Sequence, residues 1–171
     1  IPFNSRTIVE IARDKCLDAD IFDKVIISSD DPFFEKLVNC NKVEFMHRSE
    51  QLAGDEATTD MVIDYFFDEL PYCETILWVN SVSPLQSVED IKNCGTRLHN
   101  SKVDCVMAIN TLYQHCSIID KPINFNPYNS FEKTQDLVPI QRYIYSCMGW
   151  RRETYVKHRN QGFKGLFPGN M

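Results

Sequence analysis

Residues 73–91, CETILWVNSVSPLQSVEDI, decide the fold of this 171-residue chain. The apolar run at positions 76–79 is typical of a strand buried on both faces, as at the centre of a parallel sheet. A polar turn containing Pro84 follows, and Ser87 with Asp90 three positions later predicts a capped helix start. Open α/β sheets bind ligands beyond the carboxyl ends of their strands. The turn is therefore a candidate floor for a small-molecule site.

Strands and helices alternate along the first two thirds of the sequence. A helical spacing of apolar residues begins at Thr7, with Ser5 as a candidate cap, and ends near Asp20. Further segments are predicted at 22–27, 43–46, 76–79 and 104–109 for strands, and at 32–38, 60–70 and 87–99 for helices. This alternation predicts an α/β fold with a mostly parallel sheet and helices on both faces.

Beyond residue 110 the alternation weakens. Residues 112–128 are rich in Pro and Asn, which predicts strands and loops in a β-rich arm or flap near 110–146. Residues 141–147 alternate polar and apolar side chains as a half-exposed strand does, and 151–158 predict a short helix. No linker divides the sequence, so we predict a single domain over residues 1–171.

The composition argues against several classes of function. The formal net charge of −6 disfavours a surface that coats nucleic acid, and no apolar run approaches the roughly 18–20 residues that span a bilayer. Seven cysteines without a C-x-x-C pair favour reduced thiols and a cytoplasmic protein over a disulfide framework or a zinc site.

Sequence motifs for covalent catalysis and dinucleotide binding are absent. The four histidines have no metal spacing, and the chain contains no P-loop, G-x-G-x-x-G or G-x-S-x-G motif. A mechanism that works by positioning substrates and neutralising charge is favoured instead.

Four polar positions are candidates for ligand contacts, each with a structural alternative. Asp30 follows a predicted strand and could face a phosphate, a metal or a ribose, or it could cap the next helix. Arg48 could contact a nucleotide or be a surface residue. Thr59 lies at a helix start, which accounts for it without a ligand. Asn80 ends an apolar strand, where ligand and structural roles are equally compatible with its amide.

Short motifs, taken in order, carry a resemblance to a known family. They are residues 22–30 (FDKVIISSD), 48–59 (RSEQLAGDEATT), 79–86 (VNSVSPLQ), 104–106 (DCV), 135–139 (QDLVP) and 148–149 (MG). In order and spacing, residues 6–150 resemble the cytidylyltransferases that make CMP-activated sugars, above all the CMP-sialic acid synthetases (acylneuraminate cytidylyltransferases).

The resemblance implies a Rossmann-like domain that transfers CMP from CTP to a 2-keto sugar acid, sialic acid-like or another nonulosonic acid, and releases pyrophosphate with Mg²⁺. It places Arg48 and Thr59 at the nucleotide, and with the strand-end argument we add Asp30 to them. It places Asn80 at the acceptor, and we expect the same of Ser83 and Gln86 from the same turn. No catalytic residue or metal ligand is assigned within the chain. The region 110–146 resembles an arm that forms homodimers in that family, and a flap folded on its own domain is the alternative.

The chain departs from the family pattern in several places. The family has Gln, Thr and Arg where this chain has Asn80, Val82 and Gln86, so we expect the acceptor to differ from sialic acid. The lost Arg predicts either a less anionic acceptor or an anion held elsewhere. The family's N-G is reduced to Met148-Gly149. Its Gly-Ser-Lys phosphate loop and its paired Mg²⁺-binding aspartates are not among these residues, and we expect a longer chain to supply them.

Two other hypotheses remain open. One is a related nucleotidyltransferase that acts on a phosphonate or a different sugar. The other is a binding or assembly domain that keeps the fold without catalysis.

Overall fold

The computed structural model describes residues 2–3, 5–100, 102–163 and 166–171. It divides into a larger unit, Ile1–Met107 with Ser146–Met171, and a smaller unit, Ala108–Tyr145. None of the helices in the described part of the chain is long and apolar enough to cross a membrane.

Nine strands and five α-helices make up the regular structure of the described residues. The strands are β1 (Pro2–Phe3), β2 (Arg6–Thr7), β3 (Val25–Ser29), β4 (Val43–His47), β5 (Thr75–Val79), β6 (Cys105–Leu112), β7 (Ser117–Ile118), β8 (Lys121–Pro122) and β9 (Ile140–Arg151). The helices are α1 (Ile8–Ala19), α2 (Glu50–Ala53), α3 (Thr59–Glu69), α4 (Val88–His99) and α5 (Arg152–Asn160), with short 3₁₀ helices at Pro32–Leu37 and Thr134–Asp136. The predicted α/β class is confirmed.

Helix α1 begins at a different cap from the one predicted. Thr7 is the N-cap: its hydroxyl accepts from the Glu10 N–H, and the Glu10 carboxylate accepts from the Thr7 N–H at 2.7 Å. Ser5 has φ of 65° and lies outside the helix. A capping box needs an acid three residues after the cap, and Thr7 has one where Ser5 has Ile8. The cap predicted at Ser87 is confirmed, with Asp90 completing the box.

The larger unit contains two main sheets, one with a parallel strand pair and one with an antiparallel strand pair. Strands β3 and β4 are parallel, with Val25 opposite Val43. Strand β5 is antiparallel to β9, with Thr75 opposite Arg151, and β9 lies between β5 and β6. The predicted strand at 141–147 therefore extends further than its sequence pattern indicated. Its residues 146–150 are buried at the centre of a sheet.

Two hydrophobic clusters stabilise the larger unit. One contains Trp150, Phe67 and Ile63, and joins α3 and α5 to the β5–β9–β6 sheet. The other contains Cys16, Ile27 and Val43, and joins α1 to the β3–β4 sheet. Each of the two sheets therefore has its own apolar core.

Strand β5 contributes to both clusters. Ile76 and Trp78 pack against the first, whereas Val79 packs against the second, as the alternation of side chains along a strand requires. Helices therefore cover both faces, as predicted. All five β5 residues are nevertheless only half-buried, because β5 has a hydrogen-bonded neighbour on one edge alone among the described residues.

Gly149 lets helix α4 approach the sheet. A Cβ atom at this position of β9 would lie 2.8 Å from Leu77 Cδ1 and 2.8 Å from Leu98 Cδ2. Leu98 is 2% exposed, so it has little room to move. The Met148-Gly149 pair therefore has a packing role here.

The smaller unit is organised around a buried amide. Asn124 donates to the carbonyls of Gln114 and Val138, and its Oδ1 accepts from the Cys116 N–H. Strands β7 and β8 form a two-residue hairpin beside it. The unit exposes large apolar side chains, among them Ile119, Tyr128 and Phe131.

The close packing around Gly149 leads to a first prediction. Gly149→Ala should lower the free energy of unfolding by about 1–3 kcal/mol, because the added methyl group overpacks the α4–β9 contact. Urea unfolding measures the change. Gly54→Ala is the control, since its new Cβ would meet only the Glu50 carbonyl at 3.4 Å. Equal stability of the two variants would contradict this account of Gly149.

Candidate functional site

A cavity of about 620 Å³ lies between β3 and β5. Its walls include residues 25–28 of β3 and 75–79 of β5 along their length. Ser28, Arg48, Asn80 and Ser81 line it where β3, β4 and β5 end. Polar side chains from three strand ends thus converge at one edge, the place where α/β folds bind ligands.

The end of β3 forms a tight junction with the following 3₁₀ helix. Asp31 is the cap: its carboxylate accepts from the Phe33 N–H at 2.8 Å. The Ser29 hydroxyl accepts from the Asp31 N–H. Neither Ser29 nor Asp30 caps the helix, so the structural alternative considered for Asp30 does not apply. The Asp30 carboxylate is exposed, and the Ser29 hydroxyl lies 3.4 Å from it.

Arg48 continues the parallel ladder and faces the cavity. Its backbone N–H donates to the Ser29 carbonyl at 2.9 Å, directly after β4. Its Nε is buried and has no hydrogen-bond partner among the described residues, and the same is true of Ser28 Oγ. Buried donors and acceptors of this kind normally find partners. Two polar groups beside one cavity are therefore available to a ligand.

The loop after Arg48 is held by local hydrogen bonds. It contains the short helix α2, and the Tyr65 hydroxyl of α3 donates to the His47 carbonyl at 3.0 Å. Thr58 is the N-cap of α3 without a side-chain cap bond, and Thr59 is the first helical residue. Thr59 is half-buried, and it is not among the residues that line the cavity.

The turn after β5 is built around Asn80. Its N–H donates to the Ser146 carbonyl, its Oδ1 accepts from the Val82 N–H at 3.3 Å, and its carbonyl accepts from the Ser83 N–H. Asn80 thus has a structural role, and it also lines the cavity. The structural role left open for this amide is therefore present, and its ligand role stays a prediction.

Lys15 fixes the far end of this turn. Its ammonium, on α1, donates to the carbonyls of Pro84 and Gln86 at 2.6 Å each. The Gln86 Oε1 is buried without a partner among the described residues. Hydrogen bonds from a charged donor are among the stronger ones in proteins. Lys15 therefore determines where Ser83 and Gln86 lie.

The structure brings some of the predicted site residues together and separates others. Arg48 and Asn80 share the cavity. The remaining predicted residues, Asp30, Thr59, Ser83 and Gln86, do not line it. Two residues were missed from the sequence, Lys15 and Arg13. Lys15 and Arg13 lie on a helix that precedes β3, and no local pattern indicates that either reaches a carbonyl on another element.

The two thiols in the cavity wall, Cys16 and Cys73, are unsuited to nucleophilic catalysis, because burial raises the pKa of both. Burial raises the pKa of Cys16 to about 12, so the thiol stays protonated at neutral pH. Among the described residues, no group of three or more His, Cys, Asp and Glu side chains could hold a metal ion. The cavity wall offers hydrogen bonds, three positive charges from Arg13, Lys24 and Arg48, and two negative charges from Asp23 and Glu44.

Three solved structures have a similar fold. One is a 4-diphosphocytidyl-2C-methyl-D-erythritol synthase from Anaerococcus prevotii, with a TM-score of 0.66, 16% identity and coverage of 97% of this chain and 70% of that one. Another is a CMP:2-keto-3-deoxy-manno-octonic acid synthetase complexed with CTP, with a TM-score of 0.65, 10% identity and coverage of 97% and 71%. The bifunctional IspDF from Campylobacter jejuni has a TM-score of 0.59, 11% identity and coverage of 93% and 37%.

The fold is thus the Rossmann-like α/β fold of the nucleotidyltransferases. A comparison with curated proteins finds no match. The sequence profile of the cytidylyltransferase family matches residues 1–138. The chain therefore belongs to the cytidylyltransferase family, a family of CTP-dependent nucleotidyltransferases.

The role of Lys15 yields a second prediction. Lys15→Met keeps the apolar stem but removes both donors, so it should destabilise the protein by about 1–3 kcal/mol. The amides of Ser83 and Gln86 should exchange faster with solvent, because the turn loses its anchor to α1. Lys42→Met is the control, since Lys42 pairs with Asp20, whose side chain is 86% exposed. Unchanged exchange rates at these two amides in Lys15→Met would show that the turn keeps its conformation without Lys15.

Proposed function

We propose that this protein transfers CMP from CTP to a 2-keto sugar acid, sialic acid-like or another nonulosonic acid, with release of pyrophosphate. Membership of the cytidylyltransferase family supports the CTP half of the reaction. The order of motifs from residue 22 to residue 149 supports the acceptor half. The observation that carries the proposal is the unpartnered Arg48 Nε, which is buried at the polar edge of the cavity.

Arg48 is the proposed nucleotide-binding cation. A guanidinium makes bidentate contacts with phosphate and stacks on planar rings, so it suits either half of a nucleotide. Thr59 and Asp30 are proposed as further nucleotide contacts. Asp30 directly follows β3, to which the Arg48 N–H is hydrogen-bonded. Thr59 begins α3, the helix after the loop that contains Arg48.

The acceptor is proposed to contact the turn at Asn80, Ser83 and Gln86. Gln86 has a buried, unpartnered Oε1, which could accept a hydrogen bond from a sugar hydroxyl. The half-buried Ser83 lies between Asn80 and Gln86 in the same turn. Because Gln86 is neutral, an acceptor carboxylate would need a cation from elsewhere, and Arg13 in the cavity wall is one candidate.

The proposed reaction is an in-line displacement at phosphorus. The acceptor hydroxyl oxygen attacks the α-phosphorus of CTP, forming a new P–O bond, and its proton passes to solvent. The bond between the α-phosphorus and the oxygen that bridges to the β-phosphate breaks, and pyrophosphate leaves with the bonding electron pair. The protein contributes orientation of the two anions and hydrogen bonds to the charge that develops on the phosphate oxygens.

Mg²⁺ is proposed as the cofactor from the family resemblance. Bound to the triphosphate, it would neutralise charge on the pyrophosphate leaving group. The described residues offer no carboxylate cluster for it, and we propose that its ligands and the phosphate loop lie outside residues 1–171.

A related acceptor is the second candidate. The similarity to the methylerythritol synthase, TM-score 0.66, is as high as that to the sugar-acid synthetase, TM-score 0.65. Overall fold does not distinguish the two, and the neutral Gln86 in the turn favours an acceptor with fewer charges or with its anion held elsewhere.

The smaller unit is proposed to form a homodimer, and the cytoplasm is the proposed location. Ile119 and Tyr128 are 90% and 95% exposed, which is unusual for large apolar side chains unless another surface covers them. All seven cysteines are free, in keeping with a reducing compartment. Light scattering of the purified protein measures its molar mass, and a monomer at micromolar concentration would contradict the dimer.

Nucleotide binding is tested by Arg48→Met. The substitution should weaken CTP binding about ten- to hundredfold, the loss expected for a charged hydrogen-bond donor. Calorimetric titration of CTP with Mg²⁺ measures it. Arg97→Met, on the exposed face of α4, is the control and should bind as the wild type does. Equal affinity in Arg48→Met would remove Arg48 from the site. Absence of any CTP binding to the full-length protein would favour an assembly domain.

Acceptor choice is tested in the turn. Gln86→Arg should raise kcat/KM for the more anionic acceptors in a panel of 2-keto sugar acids and polyol phosphates, because a cation is added beside them. Asn80→Gln should shift the ranking of the sugar acids. Pyrophosphate release is the readout, and Val82→Ala, an exposed position in the same turn, is the control. An unchanged ranking in both variants would show that the turn does not contact the acceptor.

A further inference from the structure

We propose that Cys94 and Cys147 are a peroxide-sensitive thiol pair, which closes to a disulfide between helix α4 and strand β9. Cys94 is half-buried on α4, and Cys147 is fully buried on β9. Neither residue is assigned to a substrate in the proposed reaction, so the inference stands whether or not CTP is the substrate.

The contact between α4 and β9 sets the relative direction of the two elements. The side chain of Leu98, in the last turn of α4, lies against Gly149: its Cδ2 would be 2.8 Å from a Cβ atom there. Two residues further along β9, the Arg151 guanidinium donates to the carbonyls of Leu98 and Asn100 at the C-terminal end of the helix. The helix and the strand therefore run in the same direction.

Similar steps back along both elements lead to the two cysteines. Cys94 lies four residues before Leu98, a rise of about 6 Å on the same face of the helix. Cys147 lies two residues before Gly149, a rise of about 7 Å on the same face of the strand. The packing that brings Leu98 onto Gly149 therefore also brings Cys94 onto Cys147.

The two thiols are joined by a hydrogen bond. It raises the pKa of Cys147, and it lowers the pKa of Cys94 against the opposing effect of burial. Cys147 is therefore the donor, and Cys94 accepts. Since the thiolate is the form that reacts with peroxides, Cys94 is the attacking thiol. Cys147, which keeps its proton at that stage, is the resolving one.

Three other thiols of the larger unit are unsuited to the attacking role. Burial raises the pKa of Cys16 to about 12 and that of Cys105 to about 11. Burial also raises the pKa of Cys73, whose thiol donates to the Thr75 carbonyl at 3.0 Å. The pKa of Cys94 is shifted in the opposite direction, so Cys94 reacts ahead of these three.

The oxidation consumes one molecule of a hydroperoxide, of which hydrogen peroxide is the simplest. The Cys94 thiolate attacks a peroxide oxygen: an S–O bond forms, the O–O bond breaks, and hydroxide leaves and takes up the proton that Cys94 had released. The Cys147 sulfur then attacks the Cys94 sulfur: the S–S bond forms, the S–O bond breaks, and the departing hydroxide takes the Cys147 proton. Two thiols and one peroxide thus give one disulfide and two waters.

The cross-link joins the two elements that flank the turn after β5. The turn begins where the Asn80 N–H donates to the carbonyl of Ser146, the residue before Cys147. It ends at Ser87, the cap of the helix that carries Cys94. A bond between α4 and β9 therefore restrains the turn at both ends. In a reducing compartment such a disulfide is transient, as redox-sensing disulfides are.

The test oxidises the full-length protein and maps its thiols. The reduced protein is treated with a small molar excess of hydrogen peroxide, the remaining thiols are alkylated, and the peptides are analysed by mass spectrometry without reduction. We expect a cross-linked pair of peptides that contain Cys94 and Cys147, lighter than their sum by two hydrogen atoms. Treatment with dithiothreitol should separate them.

Three variants separate the two steps. Cys147→Ala should stop at the sulfenic acid of Cys94, which dimedone labels, and should form no cross-link. Cys94→Ser should form neither product. Cys40→Ser, which removes an exposed thiol, is the matched control and should form the disulfide as the wild type does. If Cys147→Ala does not fold, the peptide map of the wild type decides alone.

Amide hydrogen exchange measures the effect on the turn. Peroxide should slow exchange at Asn80 and Ser83 by at least about threefold in the wild type, because the turn is then restrained from both sides. The same treatment should leave both rates unchanged in Cys94→Ser. Equal rates in the reduced and disulfide forms of the wild type would contradict the restraint on the turn.

Two outcomes of the peptide map would overturn the proposal. Cys16 also lies close enough to Cys147 for its charge to affect the pKa of that thiol. A disulfide between these two would show that Cys94 is not the partner. Oxidation of Cys40 while Cys94 stays reduced, or dimedone labelling of Cys94 in the wild type with no disulfide, would show that the two thiols merely pack together.

Discussion

The antiparallel ladder between β5 and β9 is the constraint on which the larger unit depends. It joins residues 75–79 to residues 147–151, segments far apart in sequence. Through this ladder α3 and α5 pack on one face of the sheet around Trp150. On the other face, Gly149 leaves room for Leu77 of β5 and Leu98 of α4, each of which would lie 2.8 Å from a Cβ atom at this position. The turn at Asn80 is part of the same ladder, because its N–H makes the next bond to Ser146. The position of the candidate site thus follows from a long-range strand pairing.

Local chemistry made most elements of the fold predictable. Helices with a strong apolar face and an acid three residues after the cap, such as α4, begin where their sequence indicates. The cap of α1 was assigned to Ser5 because serine is a good cap, but Glu10 can complete a box only with Thr7. The place of β9 in the sheet could not be predicted, since the pattern of residues 141–147 describes a half-exposed strand. Burial of residues 146–150 arises from pairing on both edges, which no local pattern encodes.

The candidate site was predictable to the extent that its residues follow strands. Arg48 and Asn80 lie directly after β4 and β5. The strand-end rule predicts a ligand site at Asn80, whereas Arg48 was predicted from its polar loop and from the family resemblance. Lys15 escaped prediction because its role depends on where α1 lies relative to residues 84–86. A lysine on the inner side of an amphipathic helix has no distinguishing sequence pattern. Asp30, Thr59, Ser83 and Gln86 are near this edge in sequence, but they do not share the cavity wall.

The two separate hydrophobic clusters bear on the cooperativity of unfolding. The cluster around Trp150 and the cluster around Ile27 are connected through β5, where Val79 packs on one and Trp78 on the other. Because β5 is only half-buried, it couples the two hydrophobic clusters weakly. The β3–β4 half and the β5–β9–β6 half therefore resemble two foldons that open with different free energies. A ligand bound between the two halves would couple their unfolding, because it would contact both.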